Sequence, residues 1–185
     1  MIDDFIQDAI RRMDKSAEAT QHEFNGVRTG RASAALLDRI QVDYYGQQTP
    51  LKQLATINVP EPRLLTIQPF DPTSTKVIEK AIMESDLGLT PSSDGKVIRL
   101  PIPQLTEERR KELVKVVRHI AEEGRIAVRN VRRDVMHHLK ELVDSKQVGA
   151  DEEHRAEDRV QKLTDEHVHT IDELLKRKEA EIMEV

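Results

Sequence analysis

The sequence of 185 residues contains no cysteine and no tryptophan, and aromatic residues make up only 3% of it. Without cysteine, a disulfide framework, a thiolate zinc site and a cysteine nucleophile are all excluded. The absence of cysteine is also compatible with a reducing cytosol. At this length the chain can bury a hydrophobic core without such cross-links, in one domain or in two small ones.

The sequence also lacks the segments that direct proteins to membranes. No stretch approaches the roughly eighteen consecutive apolar residues of a membrane-spanning helix. Residues 1–10 carry three aspartates and lack the basic segment and apolar run of a secretory signal. We therefore expect a cytoplasmic protein that contacts no membrane.

Catalytic motifs are missing as well. The sequence has no glycine-rich phosphate loop, no dinucleotide fingerprint, no nucleophile elbow and no zinc-protease motif. On helices, the adjacent His137 and His138, and likewise His167 and His169, point in diverging directions, which favours solvent-facing or partly packed side chains over metal ligands. The paired carboxylates near the C-terminus are typical of a solvated helix face. We expect no enzymatic activity, no cofactor and no metal.

What the sequence has in abundance is charge, and this charge is unevenly distributed. Charged residues make up 34% of the chain, yet the formal net charge is only −5. Residues 109–140 hold ten Lys or Arg against four Asp or Glu, whereas residues 141–185 hold seven against fourteen. A local basic field inside an acidic protein can select an anionic partner.

The basic segment belongs to a predicted helix that spans residues 106–145, about 60 Å at 1.5 Å per residue. Pro101 and Pro103 precede it, Thr106 can cap it, and Glu107 and Glu108 suit the positive first turn. We expect Gly149 to close it. A helical projection separates an apolar face from an acidic face and a basic one. The basic stripe comprises Lys111, Lys115, Arg118, Arg125, Arg129, Arg132, Arg133 and Lys140.

Two further long helices are predicted. Residues 2–28 place apolar residues at alternating spacings of three and four, from Ile6 to Val27. Gly26 is unfavourable inside a helix and could fray its end, and Gly30 is the expected stop. Residues 151–184 form an acidic helix whose apolar residues run from Ala156 to Ile182. Because a lone amphipathic helix leaves its apolar face in water, the three should pack as an antiparallel bundle.

Residues 31–104 differ in character. Apolar alternation over residues 40–44 and apolar runs at residues 54–59, 64–67 and 97–100 predict short strands, and Asp71-Pro72-Thr73 opens a short helix. Seven of the eight prolines lie between Pro50 and Pro101. The expected fold is α+β with two domains: a three-helix bundle of residues 1–30 and 105–185, and an inserted α+β (β/α/β) domain of residues 31–104.

The inserted domain must leave and rejoin the bundle at nearly one place. The two crossings, residues 28–31 and 103–106, form a plausible hinge, although the inserted domain could instead pack firmly on the bundle. The hinge candidates are Arg28, Thr29, Gly30, Arg31, Pro103, Gln104, Leu105, Arg109 and Arg110. The four arginines among them could form ion pairs across the hinge or contact RNA.

The basic stripe is the strongest functional feature. Arg129, Arg132 and Arg133 project together at spacings of three and four, and guanidinium groups suit phosphate oxygens. A basic ridge without interleaved aromatic residues fits a structured RNA backbone better than stacked single-stranded bases. The alternative is that the acidic third helix neutralises these arginines inside the bundle. Both can hold, because the stripe is too wide for one neighbouring helix to cover.

The motifs of the whole chain, taken in order, resemble the bacterial ribosome recycling factor family. They are Arg28-Thr29-Gly30-Arg31-Ala32, Asp43-Tyr44-Tyr45-Gly46, Ser85-Asp86-Leu87-Gly88-Leu89, Leu105-Thr106-Glu107-Glu108-Arg109-Arg110, Val128-Arg129-Asn130-Val131-Arg132-Arg133, Leu163-Thr164-Asp165 and Lys178-Glu179-Ala180-Glu181. Each motif alone is weak, but seven in order are specific. One departure is Ala34, where many members carry proline.

The resemblance implies an L-shaped monomer whose bundle binds the large ribosomal subunit and its ribosomal RNA after termination, near the peptidyl-transferase centre and the intersubunit bridges. Elongation factor G would face the inserted domain and supply GTP hydrolysis, and together the two factors would split the ribosome into subunits. The implied RNA contacts are Arg129, Arg132 and Arg133, and we add Lys111, Lys115, Arg118 and Arg125 from the stripe.

The competing hypothesis is a helical-bundle adaptor or structural protein that presents the α+β domain to a protein partner. It would not sediment with purified ribosomes.

Overall fold

The computed structural model describes residues 1–184, which divide into two compact units. Unit 1 comprises residues 1–27 and 111–184, and unit 2 comprises residues 28–110. The described helices are α1 (Ile2–Asn25), α2 (Thr75–Glu84), α3 (Glu107–Asp144) and α4 (Ala150–Met183). The strands are β1 (Gln41–Tyr44), β2 (Gln47–Pro50), β3 (Ala55–Glu61), β4 (Leu64–Pro69), β5 (Ser92–Ser93) and β6 (Ile98–Pro101).

The helix α1 ends earlier than the sequence predicts. It stops at Asn25, and the amide groups of Gly26 and Val27 donate to carbonyl oxygens of the last turn. Gly26 has φ −77°, so it ends the helix without a left-handed residue. The prediction that the helix reaches Arg28 and stops at Gly30 is wrong. Gly30 does adopt the left-handed conformation, with φ +75°, but in the segment that follows.

Both ends of α3 are defined by specific hydrogen bonds. Thr106 Oγ1 accepts a hydrogen bond from the Arg109 amide at 3.1 Å, as predicted for the cap. At the other end, Lys146 is left-handed with φ +58°, and the Gln147 amide donates to the Leu142 carbonyl oxygen. This is a Schellman closure. The prediction that Gly149 ends this helix is therefore wrong, because Gly149 is the N-cap of α4.

Contacts along the bundle fix the directions of its helices. From α1 to α3, the rings of Phe5 and His138 stack with centroids 5.4 Å apart, and further along Arg12 Nη2 lies 2.6 Å from Asp134 Oδ2. Because rising positions on α1 meet falling positions on α3, these two helices are antiparallel. From α1 to α4, Asp3 meets Arg159 at 3.0 Å and Asp14 meets His167 at 2.7 Å. The helices α1 and α4 are therefore parallel.

The three helices of unit 1 pack closely at Gly124, which the predicted apolar face did not include. Gly124 is buried, and a Cβ atom placed on it would overlap Thr20 Oγ1 of α1 and lie 3.2 Å from Ile171 Cδ1 of α4. Thr20 has little room to move, because its hydroxyl donates to the Ser16 carbonyl oxygen at 2.9 Å. A larger residue at this position would require Thr20 or the helix backbones to shift.

Buried residues elsewhere in the bundle follow the predicted periodicity with some changes. Most of the expected apolar positions are buried, and the exceptions are only partly so. They are Ile10, Ala17, Val27, Ile120, Leu163, Val168, Leu174 and Leu175. Small or polar residues complete the interior, namely Ala9, Ala121 and Thr164. Thr164 is accommodated because its hydroxyl donates to the Val160 carbonyl oxygen at 2.8 Å.

Unit 2 contains a two-stranded hairpin and a four-stranded antiparallel sheet. The hairpin pairs β1 with β2 through a two-residue turn, with Tyr44 opposite Gln47. The sheet order is β3-β4-β6-β5. The helix α2 buries Ile78 and Ile82. The core of unit 2 consists of Leu37, Ile40, Val42, Leu51, Ala55, Leu65, Ile67, Ile78, Ile82, Leu89, Ile98 and Leu100.

The four predicted strands are present, but β2 and β5 were not predicted. The strand β2 follows the turn at Gly46, and β5 is a two-residue strand that pairs with β6. The strand β3 also extends through Pro60 to Glu61, beyond the expected end at Val59. These segments are mainly polar or proline-containing, so they carry no apolar alternation, and pairing with a neighbouring strand determines their conformation.

Asp71 connects β1 to the start of α2. Its carboxylate accepts hydrogen bonds from the Thr73 side chain and amide at 2.7 and 2.9 Å, and from Tyr44 Oη at 3.1 Å. The two bonds from Thr73 lower the pKa of Asp71, with a smaller contribution from Tyr44. The hydrogen bond to Asp71 raises the pKa of Tyr44. The contact therefore needs a deprotonated Asp71 and a protonated Tyr44.

We expect the contact between Asp71 and Tyr44 to stabilise unit 2 over a pH range that is limited at both its acidic and its basic end. The Asp71 contribution is present above its unfolded pKa of about 4 and is lost as pH falls through its lower folded pKa. The Tyr44 contribution is present below its unfolded pKa of about 10 and is lost as pH rises through its higher folded pKa.

Spectroscopic titration can check both limits. The NMR titration midpoint of the Asp71 carboxyl should lie below 3.8. The difference between the absorbance titrations of the parent chain and Tyr44→Phe should give a Tyr44 midpoint above 10.0. Midpoints at the ordinary values would show that the hydrogen bond does not persist in solution.

Candidate nucleic-acid interface and connecting segments

The basic stripe of α3 divides into two edges according to its neighbours. One edge faces α4, where Arg118 Nε lies 2.6 Å from Glu179 Oε1 and Arg125 lies 2.7 Å from Asp172 Oδ1. These two contacts run antiparallel along the two helices. The acidic fourth helix therefore neutralises Arg118 and Arg125, which corresponds to the intramolecular pairing considered from the sequence.

Arg125 is the most enclosed residue of the stripe. Its side chain is 19% exposed, and its guanidinium also donates to Glu122 at 3.0 Å. Burial alone would lower the pKa of Arg125, but hydrogen bonds to Asp172 and Glu122 outweigh it and raise the pKa. Arg125 thus remains charged as part of the bundle, and its guanidinium is already occupied by two carboxylates.

Glu122 is an acidic residue inside the basic stripe that the sequence analysis overlooked. It lies four residues after Arg118, close to the middle of the stripe on a helical projection. Its second carboxylate oxygen lies 3.6 Å from Arg129 Nη1. Glu122 therefore partly offsets the positive charge of Arg125 and, at the longer distance, that of Arg129.

Arg132 differs from Arg118 and Arg125 in the charge of its partner. Its Nη1 donates to Gln161 Oε1 at 3.3 Å, and Gln161 in turn donates to Asp165 at 2.9 Å. Because Gln161 is neutral, this contact orients the guanidinium without cancelling its charge. Arg132 is half-buried and keeps a positive charge at the edge of α4.

The other edge of the stripe faces away from the α4 contacts. Arg133 is exposed. Its Nη1 donates a long hydrogen bond, of 3.5 Å, to Asn130 Oδ1 within α3. The side chain of Arg129 is 40% exposed. Lys111, Lys115 and Lys140 are exposed. Arg129, Arg132 and Arg133 therefore form a group with net positive charge, which we call the arginine triad.

The two connecting segments are held close together within unit 2. A Cβ atom on Gly30 would lie 3.2 Å from Leu105 Cγ, so Gly30 allows the second segment to approach. The Ala32 amide donates to the Pro62 carbonyl oxygen at 2.7 Å, and the Ile102 amide donates to the Arg63 carbonyl oxygen at 2.8 Å. Both segments are thus fastened to the turn between β3 and β4.

The remaining hinge candidates lie around this junction. The Arg28 guanidinium donates to the carbonyl oxygens of Leu87 at 2.7 Å and Asp86 at 3.5 Å, which ties the first segment to the loop after α2. Arg110 is half-buried, and its Nε has no hydrogen-bond partner among residues 1–184. Thr29 is half-buried, and Arg31, Pro103, Gln104 and Arg109 are exposed.

The histidines are not grouped into a site. His167 is largely enclosed, with its Nε2 beside Asp14 and its Nδ1 2.7 Å from the Leu163 carbonyl oxygen. His137 and His138 both lie near Glu141, at 3.2 and 3.3 Å. Within the part of the chain that the structure describes, no three His, Asp or Glu residues are arranged to hold a metal ion. Among the same residues, no helix is long and apolar enough to cross a membrane.

Comparisons with known proteins converge on one family. A model of the family described as ribosome recycling factor matches residues 20–183. The ribosome-recycling factor of Rubrobacter xylanophilus is 58% identical over 180 residues, covering 97% of each chain. That of Carboxydothermus hydrogenoformans is 54% identical over 185 residues, covering 100% of each chain.

Two solved structures are similar over the whole chain. A solution structure of the ribosome recycling factor has a TM-score of 0.80 and 46% identity, covering 100% of this chain and 98% of the other. The second contains models of the T. thermophilus ribosome recycling factor and the E. coli elongation factor G bound to the E. coli post-termination complex. Its matching chain has a TM-score of 0.69 and 46% identity, with 100% of each chain covered.

Proposed function

The chain belongs to the ribosome recycling factor family, and we propose from this that it binds the post-termination ribosome and, with elongation factor G and GTP, splits it into subunits. The observation that carries the proposal is the arginine triad on α3, whose guanidinium groups are not all neutralised by the acidic fourth helix. Such a group can hold ribosomal RNA through its phosphates. The protein would act in the cytoplasm as a monomer.

The proposal assigns different tasks to the two units. The predicted bundle domain, residues 1–30 and 105–185, would lie on the large subunit and its RNA. The predicted inserted domain, residues 31–104, would face elongation factor G. A bundle of three long helices resists bending better than a single helix, so it can transmit a push to a bridge between the subunits.

The stripe residues would contribute unequally to RNA binding. Arg129, Arg132 and Arg133 would be the main contacts, with Lys111 and Lys115 adding positive charge. Arg118 and Arg125 would act mainly by holding α3 against α4, because carboxylates already occupy them. This ordering keeps the three contacts that the family resemblance implies as the main ones and gives Arg118 and Arg125 a mainly structural role.

The chemistry of GTP hydrolysis would belong to elongation factor G. The chain itself carries no phosphate-binding glycine loop. We propose that it has no enzymatic activity of its own and needs no cofactor. A GTPase assay of the isolated protein should then show no activity above the buffer.

Subunit splitting by purified components is the direct test. Post-termination ribosomes, elongation factor G and GTP are mixed with and without the protein, and light scattering follows dissociation. We expect splitting only when all components are present. Absence of splitting in the complete mixture, together with failure to sediment with ribosomes, would favour the adaptor hypothesis instead.

The proposed hinge can be tested with a reversible cross-link. The parent chain has no cysteine, so Gly30→Cys with Leu105→Cys introduces a single pair where the two segments lie close together. We expect the oxidised protein to bind ribosomes normally but to split them about tenfold more slowly, because the segments can no longer move past each other.

The reduced form of the same variant is the matched control. It carries the same strain at position 30, where a residue other than glycine is disfavoured at φ +75°. Any decrease in the splitting rate that persists after reduction is caused by that strain and not by the cross-link. Equal splitting rates in the oxidised and reduced forms would remove relative movement of the two segments from the mechanism.

A further inference from the structure

The turn of the β1–β2 hairpin carries a tyrosine at a position where the backbone conformation favours asparagine. Tyr45 has φ +51° and Gly46 has φ +81°, and together they form the two-residue turn between the paired Tyr44 and Gln47. Two positive φ values at the central residues are characteristic of a type I′ turn, for which Asn-Gly is strongly preferred. A bulky side chain in this conformation is uncommon and costs stability.

Burial does not compensate for this cost. Tyr45 is 83% exposed. Its ring meets that of Tyr44 edge to face, with centroids 4.6 Å apart and an interplanar angle of 74°. Tyr44 is in turn fixed by its hydrogen bond to Asp71. Tyr44 therefore packs against one part of the Tyr45 ring, and most of that ring remains exposed to solvent.

A second exposed aromatic residue lies next to the same contact. Phe70 immediately precedes Asp71 and is 67% exposed. Its amide donates to the Leu54 carbonyl oxygen at 3.0 Å, so the backbone there is ordered by the fold. The chain has only five aromatic residues, and three of them, Tyr44, Tyr45 and Phe70, occur here. We call these three the aromatic tip.

The charges around the aromatic tip indicate the kind of partner. Within residues 40–51 and 64–75 the only charged side chains are those of Asp43 and Asp71. Basic residues begin at the ends of these segments, with Arg39, Lys52, Arg63 and Lys76, and Lys52 is paired with Asp38. Aromatic platforms that bind RNA are normally set in a basic groove that attracts phosphates. Carboxylates beside exposed rings instead suit arginine or lysine side chains, which can stack on a ring and pair with an acid.

We propose that the aromatic tip docks onto a protein surface rich in arginine or lysine within the recycling complex. This inference rests on the proposed function and adds a contact residue to it. Tyr45 is the central contact, since rigid exposed aromatic residues often dominate binding at interfaces. Phe70 supports it from the start of the segment that leads into α2. The triad on α3 would bind RNA while the tip binds protein.

The variant Tyr45→Asn separates binding from folding. Because Asn-Gly suits the turn better, the melting temperature of the variant should equal or exceed that of the parent. Sedimentation with ribosomes in the absence of elongation factor G should change less than twofold if the triad anchors the protein. The rate of subunit splitting should fall about tenfold, and Phe70→Gln should lower it to a smaller extent.

Met83→Gln is the matched control. Met83 is 64% exposed and lies near the C-terminal end of α2, about 12 Å along the helix from the end next to Asp71. Its replacement should leave splitting unchanged. A normal splitting rate in Tyr45→Asn, or an equal loss in Met83→Gln, would overturn the assignment. Failure of the parent chain to split ribosomes would instead refute the proposed function.

A photo-cross-link identifies what the tip touches. Benzoylphenylalanine replaces Tyr45, and the protein is irradiated in complexes assembled from purified ribosomes, elongation factor G and a non-hydrolysable GTP analogue. We expect an adduct with a protein, at a peptide within a basic surface. An adduct with ribosomal RNA, an adduct with an acidic protein surface, or no adduct in a complex that sediments normally would contradict the proposal.

Discussion

Gly124→Ala should lower the free energy of unfolding of the helical bundle by about 2 kcal/mol. The added methyl group would overlap Thr20 Oγ1, which is fixed by its bond to Ser16, and press against Ile171. Overpacking of this kind costs about 1–3 kcal/mol and can exceed it where the neighbours cannot shift, whereas alanine gains back about 1 kcal/mol of helix propensity. Urea unfolding followed by circular dichroism at the helix band measures the difference.

Two further variants isolate the steric cause. In the double variant Gly124→Ala with Thr20→Ala the overlapping hydroxyl is absent, so the two changes together should cost less than the sum of the single changes. Gly26→Ala is the matched glycine control, since Gly26 has φ −77° and its Cβ would meet only the Glu23 carbonyl oxygen at 3.4 Å. It should change stability by less than about 1 kcal/mol. Additive costs in the double variant would show that close packing at Gly124 is not the reason.

Replacing the arginine triad by glutamine should weaken binding to the large subunit about a hundredfold at low salt. Each phosphate contact that is lost removes about one unit from the slope of log affinity against log salt, so the triple variant should be flatter by about two to three units. Glutamine keeps the length and helix propensity of the side chain, so α3 should remain folded. Sedimentation with large subunits over a series of salt concentrations measures both quantities.

The control uses arginines of the same helix that face α4. The double variant Arg118→Gln with Arg125→Gln also removes positive charge, but these side chains are already paired with Glu179 and Asp172. It should reduce the salt slope by less than one unit and lower the unfolding midpoint of the bundle instead. If this control loses as much slope as the triad variant, the RNA contacts extend over the whole stripe. If the slope of log affinity against log salt is unchanged in the triad variant, the arginine triad is excluded as the RNA anchor.

The long helices could be predicted because the sequence pattern that specifies each of them lies within the helix itself. Repeating apolar residues at spacings of three and four place the core face of α1, α3 and α4 without knowledge of the partners. The cap at Thr106 also followed from the residue type alone. The same method overlooked Gly124 and Ala121, because it weights large apolar residues, whereas close approach between helices depends on small ones.

The pairing within the basic stripe could not be predicted in the same way. Which arginines meet carboxylates depends on the rotation of α4 about its axis, and the sequence of α3 contains no information about that rotation. The acidic composition of the fourth helix suggested neutralisation but did not distinguish Arg125 from Arg133. Likewise, β2 pairs with β1 although its residues Gln47 and Gln48 are polar, because the tight turn at Tyr45 and Gly46 brings the strands together.

The interrupted course of unit 1 has a consequence for how the chain is made. The helix α1 is synthesised first, but the residues that contact it follow the whole of unit 2 in the sequence. They include Gly124 and His138 of α3 and Arg159 and His167 of α4. Unit 2 is continuous in sequence, so it can fold on the nascent chain as soon as residue 110 has left the exit tunnel. Until α3 and α4 have been synthesised, the apolar face of the amphipathic α1 stays exposed. We expect ribosome-associated chaperones to bind this face during translation.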